Sequence, residues 1–108
     1  MNDTRHMDQD FRCRMNAELA RARAKFPGNK VMLAALTEEV GELAKALLDH
    51  AMGKTVSDDI VDEAVQVAVM AQRLATEGDS SFPYKPGHRS ILQSAAPLEN
   101  FPDDAPVG

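Results

Sequence analysis

Six apolar residues in a row, Val31-Met32-Leu33-Ala34-Ala35-Leu36, open a stretch that turns acidic at Glu38, Glu39 and Glu42 and closes on Ala46-Leu47-Leu48. The pattern is helical, and a helix runs from about residue 30 to residue 50. An α-helix turns about 100° per residue. With Val40 at the centre of the buried face, Leu33, Leu36, Leu43, Ala44 and Leu47 fall within about 60° of it. Glu39 then lies about 100° to one side and Glu42 about 160°, with Ala35 and Ala46 between them. The opening run is apolar all round, and such a helix is buried on more than one side. Three helices of one chain do not easily achieve that, so contacts between subunits are expected there. Gly41 in mid-helix costs about 1 kcal/mol against Ala, a cost that points to a close approach by another helix.

Residues 58–75 repeat the arrangement. With Ala64 at the centre, Ile60, Val67, Ala68, Ala71 and Ala75 form a core face. Glu63 lies at about 100° and Gln66 at about 160°, on the same flank as the first pair. Asp59 falls between them, one turn before Glu63. Val65, Val69 and Met70 lie off the main stripe, so this helix too is expected to be buried on two sides. It runs from about residue 58 to residue 76 and ends at Gly78. Ser57 is its expected N-cap, Asp58 complements the helix dipole, and Asp59 is divided between dipole and ligand roles. Paired in a bundle, the two helices aim four oxygen-bearing side chains at one spot. Hard cations such as Mg²⁺ take oxygen ligands, usually a few carboxylates plus water, and bundle interiors hold such sites between facing helices. The plainer alternative is a solvated acidic face with Lys45 as the i,i+3 partner of Glu42. Gln66 would then be a core-edge amide hydrogen-bonded to a neighbouring helix.

Glu38-Glu39-Val40-Gly41-Glu42 resembles the EExxE motif of the MazG-like, all-α nucleoside triphosphate pyrophosphohydrolases. Glu63-Ala64-Val65-Gln66 lies where that family's second motif, ExxD, belongs, and the run after it is similar to the family's apolar third helix. The resemblance covers roughly residues 26–79. The departure is Gln66, where the family usually has Asp: an amide oxygen can ligate a metal but brings no charge. Asp59 or Asp62 are nearby acids that could supply that charge, although neither occupies the motif position. The resemblance implies an all-α chain whose three main helices form a dimeric or tetrameric bundle. It implies hydrolysis of a nucleoside triphosphate to monophosphate and pyrophosphate with Mg²⁺ or Mn²⁺. Glu39, Glu42, Glu63 and Gln66 would be the metal ligands, Asp59 a substitute ligand, and Glu38 the base or an outer support for the ligands. The alternative, which Gln66 favours, is a non-catalytic helical oligomer that binds nucleotide or regulates through a degenerate metal site. A weaker third option is a helical partner protein with no nucleotide role.

Phe11, Met15, Leu19, Ala22 and Phe26 recur at spacings of four and three, a helical stripe over about residues 10–25 with Asp8 or Asp3 as cap. Its other faces carry Arg12, Arg14, Arg21, Arg23 and Lys25. They form a solvated basic face, or one or two of them, Arg21 foremost, reach a triphosphate across the bundle, since guanidinium forks suit phosphate oxygens. Pro27-Gly28 marks a turn, and Asn29 is a candidate cap for the next helix. Lys30 and Lys54, in the turns flanking the second helix, are either surface lysines or contacts for an anion. Met70 is expected to pack rather than to recognise a base.

From Ser80 the character changes. Pro83, Pro86, Pro97, Pro102 and Pro106 interrupt any long helix. We therefore divide the chain into a helical domain, 1–80, and an irregular Pro-rich arm, 81–108, with room for a turn or two over 90–96. Phe82, Tyr84, Ile91, Leu92, Leu98 and Phe101 are too apolar for a purely solvated tail, so the arm is expected to lie over its own subunit or a neighbour, with disorder as the alternative. The 108 residues suffice for one small domain, which gains core by self-association. The formal charge of −5 argues against a nucleic-acid polymer as partner. The lone Cys13 excludes an internal disulfide and a thiolate zinc cluster. With no signal-like segment and no long apolar run, the chain is expected to be cytoplasmic and free of membranes.

Overall fold

The computed structural model describes residues 4–54, 56–84 and 86–87. It is all-helical over these residues: α1 (Arg5–Lys25), α2 (Met32–Ala51) and α3 (Ser57–Glu77), with no strand among them. The part of the arm around 90–96, with Ile91, Leu92, Leu98 and Phe101, lies outside the described residues. No helix in the described part is long and apolar enough to cross a membrane.

The central element is α3, which packs against α1 on one side and α2 on the other, while α1 and α2 do not pack on each other. The core is therefore an α1–α3 seam of Leu19, Ala22, Val65 and Val69, with Phe11 and Met15 against it. This agrees with the stripe read on the first helix and with two-sided burial of the third. The inward face of α3 is centred differently, however. Val65, Val69 and Arg73, spaced by one turn, are its buried residues, whereas Ala71 and Ala75 are exposed.

A larger correction concerns α2. Val40 is 48% exposed, and Leu33 and Leu47 are 43% and 56% exposed. The shielded face runs instead through Met32, Ala35, Leu36, Glu39, Leu43 and Ala46. The helix is thus turned by roughly one residue step, about 100°, relative to the face inferred from its leucines. It is apolar on two sides, and the chain's own core takes the side that brings Glu39 inward. A Cβ at Gly41 would meet nothing within 4 Å among the described residues, so none of the three helices approaches there.

The α1–α2 turn is fastened from α3. Buried Arg73 donates to the carbonyl oxygens of Phe26 and Gly28 at 2.8 and 3.0 Å, and to both carboxylate oxygens of Glu77 at 2.9 Å. Asn29 does not cap α2; its amide donates to the Glu77 carbonyl at 2.9 Å. The cap comes from further along the chain: Asp79 Oδ2 accepts the Leu33 amide and Oδ1 accepts the Ser81 amide, each at 2.9 Å. These contacts hold Val31 in the left-handed region at φ 54°, which costs a β-branched residue about 1–2 kcal/mol. At the other end of the hairpin Val56, not Ser57, is the N-cap of α3, and Asp58 and Asp59 occupy its first turn. Gly78, at φ 78°, ends α3 as expected.

Candidate functional site

Because α1 and α2 flank α3 without touching, a cleft of about 950 Å³ opens between them, floored by α3. Glu18 and Arg21 of α1 form one wall, and Ala35, Glu38 and Glu39 of α2 the other. Gln66, Val69, Met70 and Arg73 lie along the floor, and Lys30 closes the end formed by the α1–α2 turn. A smaller depression of about 210 Å³ lies on the far side of the α2–α3 seam, lined by Glu42, Lys45, Asp49, Asp59, Asp62 and Glu63.

The two hollows meet at one contact. Glu39, from the cleft, faces Glu63, from the depression. The Glu39 carboxyl is held above the ordinary glutamate range, first by burial, then by the charge of Glu63 and the hydrogen bond with it, and then by Glu38 and Glu42. Two facing acids need a proton or a cation between them. In kind, these donors fit a hard divalent cation, which takes carboxylate oxygens. In arrangement they bring one pair together, with Glu42 and Gln66 to either side. Among the described residues no group of three or more His, Cys, Asp or Glu stands placed around a single point.

The remaining candidates are distributed as follows. Glu38 is exposed on the cleft wall beside Glu39. Asp59 lies in the depression with Glu42 and Glu63 rather than near Gln66, and Asp62 is engaged by Arg14 of α1. Lys45 pairs with Asp49 at 3.0 Å, one turn onward, instead of with Glu42. Lys30 and Arg21 line the cleft, whereas Lys54 lines neither hollow. Arg21 is already committed: its Nε donates to Glu18 at 2.9 Å and its Nη2 to the other carboxylate oxygen.

Glu18 was not singled out in the sequence. It lies three residues after Met15 and four before Ala22, on the apolar stripe itself, and a glutamate at such a position was the available signal. Its carboxyl is held below the ordinary range, chiefly by the Arg21 hydrogen bond working against burial, and further by a hydrogen bond from Gln66 and the charges of Arg21 and Lys25. Gln66 thus lies close to Glu18 of the neighbouring helix and faces the cleft.

No family model, no curated protein and no solved structure matches this chain.

Proposed function

We propose that the protein is a metal-dependent nucleoside triphosphate pyrophosphohydrolase of MazG-like type, releasing a nucleoside monophosphate and pyrophosphate. The observation that carries this reading is the Glu39–Glu63 contact, which joins the EExxE helix to the following helix at the edge of a cleft. Glu39, Glu63, Glu42 and Gln66 are the residues that would hold Mg²⁺ or Mn²⁺. When bound, such an ion neutralises phosphate charge and acidifies water. Glu38, next to Glu39 and exposed, would accept a proton from a water molecule at its carboxylate oxygen. That water's oxygen bonds to the α-phosphorus as the bond to the bridging oxygen breaks and pyrophosphate departs. Lys30 offers the cleft an ammonium for phosphate oxygens, a part Arg21 plays less readily because Glu18 holds it. Ala22, Ala35, Val69 and Met70 give the cleft an apolar stretch suited to a nucleobase.

The test is pyrophosphate release from a panel of ribo- and deoxyribonucleoside triphosphates, with Mg²⁺, with Mn²⁺ and with chelator. Metal-dependent release with monophosphate as co-product is the expected result. The second reading is a non-catalytic nucleotide-binding module, and it is favoured by the uncharged Gln66 already engaged by Glu18. Nucleotide binding by a folded chain that releases no pyrophosphate under any metal selects that reading.

The catalytic reading carries self-association and a cytoplasmic setting with it. Leu33, at the rim of an apolar hollow with Leu74, Phe82 and Tyr84, and Val40 and Leu47 recur every seven residues on α2 and are about half exposed. A seven-residue apolar repeat is the seam of a two-helix contact, and a second copy of the same helix is the partner that matches it.

A further inference from the structure

An apolar hollow of about 480 Å³ lies between α2 and α3 and shares no lining residue with the cleft. Leu33 and Leu36 of α2, Leu74 of α3, and Phe82 and Tyr84 from the start of the arm form its walls. The polar side chains on its lining are already engaged. Asp79 accepts the Leu33 and Ser81 amides, and the Tyr84 hydroxyl donates to the Ala75 carbonyl, each at 2.9 Å. The hollow therefore suits aliphatic groups and gives a charged ligand no partner. Leu33, Phe82 and Tyr84 are nevertheless 43%, 50% and 51% exposed, and apolar surface of this kind gains by being covered.

The chain itself leads to the hollow. Beyond Gly78 it folds back, so that a Cβ at Gly78 would stand 2.9 Å from Pro86 Cδ and 3.2 Å from the Tyr84 carbonyl oxygen. The bond from Tyr84 to Ala75 lays this segment on α3, and Gly87, at φ 79°, turns the chain again. The described residues end there, three positions beyond Tyr84 in the hollow's wall. The next apolar residues are Ile91 and Leu92. From Gly87 to Ile91 an extended chain covers about 14 Å, and the nearest apolar pair closes the shortest loop at the least entropic cost. A second copy is a poorer occupant. Its α2 presents a ridge, which matches the stripe through Val40 and Leu47 outside the hollow, rather than a pit walled by the arm. We propose that Ile91 and Leu92 of the same chain fill this hollow and strap the arm across α2 and α3. The strap covers the Asp79–Leu33 cap, which fastens the start of α2 beside the turn that closes the cleft. The inference is independent of the metal-site reading.

The experiment is methyl NMR of the full chain. The expected result is a set of NOEs from the Ile91 and Leu92 methyl groups to the ring of Tyr84, whose signals are unambiguous because the chain has one tyrosine. The paired substitution Ile91→Ser and Leu92→Ser abolishes them and shifts the Leu33, Leu36 and Leu74 methyl resonances. The pair Leu98→Ser and Phe101→Ser, further along the arm, leaves those three resonances in place. The NOEs of the parent chain decide the matter even where a serine variant folds poorly, and their absence from a folded parent overturns the proposal. Equal shifts from both serine pairs show an unselective apolar covering and overturn it too. In a mixture of differently labelled copies, NOEs found only between copies put another chain's arm in the hollow and overturn the same-chain assignment.

Discussion

Glu39 of α2 and Glu63 of α3 face each other across the helix hairpin, Glu39 lining the interhelical cleft and Glu63 the acidic depression behind it. The contact opposes folding whenever both acids are ionised. The raised Glu39 carboxyl favours the protonated form, so its penalty is absent below the ordinary value of 4.5 and grows as pH rises towards the folded value. Glu39→Gln therefore stabilises the ion-free chain at pH 7 by about 1 kcal/mol, a common size for one favourable replacement, and the gain vanishes below pH 4.5. The same variant, like Glu63→Gln, loses metal-dependent pyrophosphate release. Thermal melts at the two pH values and a turnover assay check both halves. A variant that melts lower at pH 7, or that turns over normally, removes this pair from the site.

Mn²⁺ or Mg²⁺ should offset the same repulsion. An ion that binds only the folded chain stabilises it by about 2.7 kcal/mol at a hundredfold excess over its dissociation constant. The expected outcome is a melting temperature that climbs with Mn²⁺, falls back with chelator, and does not respond in Glu39→Gln. A response of equal size in Glu39→Gln places the ion elsewhere.

Three other carboxylates have the opposite sign. Glu77 is held below the ordinary range first by its hydrogen bond with Arg73, Asp79 by the Leu33 amide, and Glu18 by Arg21. Their contributions are complete above the unfolded values of 4.5 for glutamate and 3.8 for aspartate. They are lost as pH falls below those values and through the folded ones. Denaturant titrations should show stability dropping from about pH 4.5 downward, and the drop should be shallower in Glu77→Gln. An identical acid limb in that variant shows that Glu77 carries no such linkage.

Arg73 is the interior charge on which the α1–α2 turn hangs. Arg73→Met leaves the Phe26 and Gly28 carbonyls without that donor and strips Glu77 of its buried cation. Removing one partner of a buried, hydrogen-bonded pair costs about 3 kcal/mol or more. Arg23→Ala, whose side chain is 42% exposed and also reaches Glu77, costs less than about 1 kcal/mol. Urea melts of the two variants check the contrast, and comparable losses would show that the buried network is not what holds the turn.

The helices were legible because each carries its own periodicity, and Gly78 and Pro27-Gly28 mark breaks that backbone geometry enforces. The facing of α2 was not legible. Its leucines make a convincing core stripe, yet Leu33, Val40 and Leu47 point outward and Glu39 inward, because a helix apolar on two sides does not itself say which side its own chain will cover. The acidic candidates were legible as residue types at matching positions, but Glu18 lines the cleft from a helix read for its apolar stripe and its arginines. Asp79 takes the capping part expected of Asn29 for a related reason. Local rules assign a cap to the nearest polar residue, whereas here the Leu33 amide is met by a carboxylate 46 positions away.

That outward stripe leads to the last prediction. Leu33, Val40 and Leu47 stand one heptad apart on α2, and Gly41 in the same helix has open space where a Cβ would stand, among the described residues. Three half-exposed aliphatic side chains in line cost solvation that a facing copy of α2 would recover, at about 25 cal/mol for each Å² covered. The chain should therefore sediment as a dimer or larger, and its melting temperature should rise with protein concentration. Leu47→Lys places a charge in the seam without touching Glu39, Glu63 or the cleft. It should shift the chain toward monomer while leaving Mn²⁺ affinity within about twofold, since positions remote from a site with no shared partner act independently. A parent chain that is monomeric at high micromolar concentration, with a melting temperature independent of concentration, would remove the dimer. A Leu47→Lys monomer that has also lost Mn²⁺ binding would instead show that the acidic site depends on the second copy.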